Sequence, residues 1–143
     1  MNPVGFSNIN FSPLNLYRTL APVFFPNRKR VEDFLDRIVF SPNDGIDAET
    51  KRRVTDFVEN AVKGFQFGGE YPSRSPDAEI KKLVAETHLI VGERDGLIPY
   101  RKTIRRAEEL LPNLKSVEIF PEQAHGIEVS SNAVWQLQKI LHQ

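Results

Sequence analysis

The sequence predicts an α/β fold in two parts. A helical region covers residues 1–80, and a βαβα unit with parallel strands covers residues 81–143. Two observations carry this. Up to about residue 80 the apolar residues recur at helical spacing. Beyond it, two short apolar runs, His88 to Val91 and Lys115 to Phe120, alternate with two amphipathic stretches. Strand, helix, strand and helix in that order make a parallel pair joined by a right-handed crossover.

The elements follow in chain order. Met1 to Pro26 is rich in Asn, Ser and Pro and reads as a loop leading into a short helix over Leu14 to Leu20, which Pro22 ends. Arg28 to Phe40 is an amphipathic helix, with Val31, Phe34, Leu35, Ile38 and Val39 on one face. Its Arg28-Lys29-Arg30 start lies beside Glu32, Asp33 and Asp36 and reads as a solvated helix terminus. The turn Ser41-Pro42-Asn43-Asp44-Gly45 follows. Asp47 is suited to cap a second long helix, because its carboxylate accepts the free N–H groups of a first turn. That helix carries Val54, Phe57, Val58, Ala61, Val62 and Phe65 on its apolar face, and Gly64, Gly68 and Gly69 end it. Ser75 and Pro76 are placed as cap and first residue of a short helix.

His88 to Val91 lacks the alternation of a half-exposed strand, so it reads as a central strand buried on both faces. Tyr100 to Leu111 is a helix with Ile104, Ala107, Leu110 and Leu111 inward and a basic outer face. Asn132 to Leu141 closes the chain as a helix, apolar at Ala133, Val134, Leu137, Ile140 and Leu141. A parallel pair is not a stable sheet by itself. The chain is therefore expected to self-associate, or to be the C-terminal piece of a larger α/β protein.

Composition removes several function classes. Nineteen basic and nineteen acidic side chains give zero formal charge, which argues against nucleic acid or a polybasic membrane surface. The absence of cysteine excludes disulfides and thiolate metal sites and fits a cytoplasmic protein. No apolar run approaches the roughly 20 residues of a membrane span. Three histidines, His88, His125 and His142, are too few and scattered for a histidine-rich metal site. No metal and no cofactor is expected.

The chemistry is expected at the carboxyl ends of the strands, where sites form in open α/β sheets. The loop after the first strand carries Asp95 and the loop after the second carries His125. An imidazole there can act as a general base. A carboxylate on its other ring nitrogen fixes the tautomer and stabilises the imidazolium. Each residue also has a plainer reading, Asp95 as a turn or cap residue and His125 as a surface or structural histidine. Their placement one βαβ step apart joins them. His88, inside a strand, reads as a packing residue, and His142 as a solvated tail residue.

Gly92-Glu93-Arg94-Asp95-Gly96-Leu97-Ile98-Pro99 resembles the acid-bearing loop of α/β-hydrolases, a strand ending in Gly-x-x-Asp followed by an apolar residue and Pro. Ile119-Phe120-Pro121-Glu122-Gln123-Ala124-His125-Gly126 resembles the catalytic-histidine loop of the same fold, with Ala124 where a glycine is usual. The resemblance implies that Asp95 is the triad acid and His125 the triad base. In that fold the order is Ser, acid, His, so a chain beginning after the serine keeps only the last two. The resemblance makes the helical stretch a cap or lid and Met1 to Gly5 the exit from the preceding strand. It covers residues 81–143 well and the first 80 loosely. It further implies a small hydrophobic acyl substrate in the full-length relative.

The departure is the nucleophile. No Gly-x-Ser-x-Gly elbow is present, nor the early loop that donates one oxyanion-hole N–H. Ser73, Ser75, Ser130 and Ser131 do not lie on a strand-turn-helix elbow, and Ser75 and Ser131 are better read as helix caps. Nine of the ten phenylalanines fall in residues 1–67. Those at helical spacing read as packing, while Phe24, Phe25 and Phe67 are candidates to line an acyl pocket. Three functions are expected to compete. The first is the lid and C-terminal half of a serine hydrolase, completed by its missing half. The second is a non-catalytic hydrolase-like module that binds a partner or a second copy through its Phe-rich helices. The third, a nucleotide-binding or receiver-like domain, lacks a Gly-x-Gly-x-x-Gly, a P-loop and an acidic cluster.

Overall fold

The computed structural model describes residues 5–10, 12–42, 45–65 and 73–141. The sheet has two strands, β1 (Thr87–Gly92) and β2 (Leu114–Phe120), paired in parallel. Their register sets Val91 against Ile119 and Gly92 against Phe120, so the loops carrying Asp95 and His125 leave the sheet side by side. Between the strands runs α5 (Tyr100–Leu110), and a 3-10 turn (Ile127–Val129) leads into α6 (Ser131–Leu141).

Successive side chains of β1 point to opposite faces, and both faces are covered. Leu89 and Val91 pack against Ala107, Leu110 and Leu111 of the α5 region and against Ile80. Ile90 packs against Ile127 and Ala133 of the α6 side. β1 is thus the buried strand its unbroken apolar run predicts. β2 is only half covered, with Ile119 46% exposed.

Among the described residues before the sheet the α-helices are α1 (Pro13–Phe24), α2 (Arg28–Phe34), α3 (Ala48–Lys63) and the short α4 (Asp77–Ile80). α2 does not end as an α-helix. It widens into a π-helical turn over Leu35–Val39, closed by the Phe40 N–H donating to the Leu35 carbonyl at 2.7 Å. Val31, Leu35 and Phe40 form a core with Val54, Val58 and Val62 of α3. Asp47 caps α3, its Oδ1 accepting the Thr50 N–H at 2.8 Å.

Several expectations need correction. Pro22 lies inside α1 and does not end it. Its ring is fully buried, which offsets the one backbone hydrogen bond it removes in the last turn, and the Phe25 N–H still reaches the Ala21 carbonyl. Ser75 does not cap α4, whose cap is Pro76 without a side-chain hydrogen bond. The Ser131 hydroxyl donates to the Gly45 carbonyl at 3.4 Å. On α3, Phe57 is 73% exposed and Ala61 is also exposed, and Phe65 lies beyond the helix end and is 52% exposed, so only part of the expected apolar face is covered. On α6, Val134 and Leu137 are likewise exposed.

The basic outer face of α5 has one exception. Arg106 is buried, at helical spacing from Thr103 and Leu110. Its guanidinium donates to the Gly5, Phe6 and Ser75 carbonyls and to Asp77. It ties the first described segment and α4 to the sheet side of the molecule. Ser7 adds a buried hydroxyl contact to Thr103 at 2.9 Å. The Arg106 guanidinium, and after it that of Arg74, holds the Asp77 carboxyl below the usual carboxylate range.

Candidate active site

β1 ends at Gly92 because nothing larger fits there. A Cβ on Gly92 would lie 2.6 Å from the Gln123 carbonyl oxygen and 2.7 Å from that of Ala124. The end of the first strand therefore rests directly on the backbone of the histidine loop. The Glu93 N–H donates to the Phe120 carbonyl at 3.0 Å and the Arg94 N–H to that of Gln123 at 2.9 Å. An ion pair of Arg94 with Glu122, 2.6 Å apart, spans the same two loops at the surface. Glu122 takes a left-handed φ of 67°, the turn that sends the chain back toward Asp95.

The Asp95 side chain is 1% exposed. Its two oxygens do different work. Oδ1 accepts the Leu97 and Ile98 backbone N–H groups, each at 2.8 Å, which folds the loop into a tight turn. Oδ2 lies 3.0 Å from Nδ1 of His125, whose side chain is 24% exposed. Oδ1 thus does what the plainer reading of Asp95 as a turn residue expects, and Oδ2 is the oxygen that faces the imidazole. A carboxylate held by two backbone N–H groups offers its second oxygen to the imidazole in a fixed position. In the tautomer with its proton on Nδ1, the ring would donate to Asp95 Oδ2 and Nε2 would be its basic nitrogen.

The histidine loop is held from a second side. The His125 N–H donates to the Ile38 carbonyl at 3.3 Å and the Gly126 N–H to the Val39 carbonyl at 2.7 Å. Both acceptors belong to the π-helical turn after α2. Gly126 permits this approach, since a Cβ there would lie 2.5 Å from Val39 Cγ1 and 2.8 Å from its carbonyl oxygen.

The other sequence candidates fall elsewhere. Phe24 and Phe25 sit at the end of α1, 57% and 65% exposed, and the Arg30 guanidinium lies 5.3 Å from the centre of the Phe25 ring. Phe67 and His142 lie outside the described residues. His88 is a strand residue whose Nδ1 is 2.9 Å from the Ser116 hydroxyl. Ser130 is fully buried. Among the described residues no three His, Asp or Glu side chains gather into a metal site. Sequence reasoning missed the π-helical turn against the histidine loop, which has no simple sequence signal, and, away from this site, the buried Arg106, whose spacing on the buried stripe of α5 signals it.

No family model matches the sequence, and no curated protein does. Two solved structures match the fold. The carboxylesterase CesB of Bacillus subtilis superposes with a TM-score of 0.70 over 96% of this chain at 17% identity. A candidate hydrolase, also from Bacillus subtilis, gives 0.65 over 93% at 14% identity. In both cases the match takes in 46% of the solved chain, so this chain spans about half their length. The chain has the α/β-hydrolase fold, represented by its C-terminal portion.

Proposed function

We propose that this chain is the lid-bearing C-terminal half of a serine hydrolase that cleaves acyl esters, with Asp95 as triad acid and His125 as triad base. The observation that carries the reading is the 3.0 Å contact of His125 Nδ1 with a carboxylate already fixed by two backbone N–H groups. In this role His125 Nε2 takes the proton of an attacking serine and returns it to the leaving alcohol, while Asp95 stabilises the imidazolium. The serine and the oxyanion-hole donors come from outside residues 1–143. Residues 1–80 serve as the lid and residues 81–143 as the core segment. Phe24 and Phe25 contribute apolar surface for a small hydrophobic acyl group, and Phe67 belongs to the same proposed set. The cysteine-free sequence suits the cytoplasm, and among the described residues no helix is long and apolar enough to cross a membrane.

The reading is tested with p-nitrophenyl acetate and butyrate. The purified chain alone is expected to match its His125→Ala control. A chimera that joins the serine-bearing half of CesB to this chain is expected to hydrolyse both esters and to lose that activity with His125→Ala. A chimera whose activity survives His125→Ala overturns the assignment of the base.

A second reading has its own support. Tyr17, Phe57, Val84 and Trp135 are 63%, 73%, 74% and 57% exposed, more apolar surface than a finished monomer usually shows. A non-catalytic module that pairs with a second copy accounts for that surface as well as a missing half does. Sedimentation velocity separates them: a concentration-dependent dimer favours the second reading, a monomer the first.

A further inference from the structure

The histidine loop is bonded through its backbone to the helical segment as well as to its sheet neighbour. From this we infer that the π-helical turn Leu35–Val39 is a positioning element for the base, with Gly126 and Val39 as positioning residues. The inference rests on the reading of His125 as the base.

Three contacts place the turn. The last carbonyls of a helix have no partner within it, and here those of Ile38 and Val39 accept the N–H groups of His125 and Gly126. The Ile38 side chain, 2% exposed, packs with Leu97 and Ile98, the two residues whose N–H groups hold Asp95 Oδ1. One turn of helix therefore touches the acid loop through a side chain and the base loop through its backbone. The wider turn closes on Leu35, and the helix ends at Phe40. A continuing α-helix would use the Ile38 and Val39 carbonyls internally. π turns are frequently found at functional sites, and here the turn supplies acceptors to the loop carrying the base.

The consequence is coupling. The turn continues α2 and shares a core with α3, so a displacement of these helices draws on the loop that sets the His125 ring against Asp95. A ligand wedged beneath the helices and a substitution that separates Gly126 from Val39 would have the same effect on the ring.

The experiment is ¹⁵N spectroscopy of the imidazoles in the full chain. Wild type is expected to show His125 with its proton on Nδ1. Gly126→Ala, whose Cβ cannot sit at 2.8 Å from the Val39 carbonyl oxygen, is expected to lose that single-tautomer signature at His125. The signals of His88, held by Ser116, should stay unchanged and report an intact sheet. A folded Gly126→Ala protein that keeps the wild-type His125 signature overturns the inference. If that variant does not fold, amide exchange in the wild type decides. Slow exchange at Gly126, in step with the amides of the π turn, supports the coupling, and exchange at the unprotected rate overturns it. Absence of the Nδ1 proton signature in the wild type itself would count against the triad reading and leave the backbone contacts to be judged by exchange.

Discussion

Replacing Asp95 tests how one carboxylate serves two partners. Asp95→Ala removes the acceptor for the Leu97 and Ile98 N–H groups, and both residues are buried, at 7% and 2% exposure. Each buried donor left without a partner costs about 1–3 kcal/mol. The loss of stability should therefore be about 2–6 kcal/mol. Asp95→Asn keeps an oxygen where Oδ1 accepts both N–H groups, but turns an NH₂ toward His125 Nδ1. The imidazole must then move its proton to Nε2, the wrong tautomer for a base. Its stability cost should be near 1 kcal/mol. Urea unfolding followed by circular dichroism at pH 7 reads both variants. The alanine variant should be clearly the less stable, while both lose activity in the completed enzyme. Equal midpoints for the two variants, or an alanine variant as stable as wild type, would refute the division of labour between the two oxygens.

Other perturbations follow from the same contacts. Gly92→Ala drives a Cβ to within 2.6 Å of the Gln123 carbonyl and should cost about 1–3 kcal/mol in the same unfolding assay. Arg106→Met keeps apolar bulk but strands three backbone carbonyls, so about 3 kcal/mol of stability should disappear. Asp47, Glu49, Asp56, Glu59 and Asp77 are held below the ordinary carboxylate range by their hydrogen-bond partners, first among them the Thr50 N–H for Asp47 and Arg106 for Asp77. A depressed folded pKa gives stability that is present above the unfolded value and lost as pH falls through the folded one. Acid titration should show stability declining below about pH 4, and Asp77→Asn should flatten part of that decline.

The sequence reads well where a local rule decides the outcome. β1 and β2 follow from short apolar runs, and the cap at Asp47 from a carboxylate ahead of a periodic stretch. The pairing of Asp95 with His125 was readable because parallel strands in register bring the loops after them together, and the register of Gly92 with Phe120 does so.

What remained hidden depended on partners distant in the chain. Periodicity places Val54, Phe57 and Val58 on one stripe of α3, yet only packing determines that Val54 and Val58 meet α2 while Phe57 stays exposed. A proline signals the end of a helix by removing one hydrogen bond, and burial of the Pro22 ring outweighs that signal. Arg106 reads as another surface cation until four acceptors from distant segments surround it. The two carbonyls that hold the histidine loop belong to the backbone, which every residue shares. By itself the sequence determined most of the local elements and singled out Asp95 and His125 as the pair that meets at the strand ends. Tertiary structure alone decided that a π turn nearly ninety residues upstream bonds to the loop carrying His125, because a hydrogen bond to a main-chain carbonyl leaves no trace in residue type.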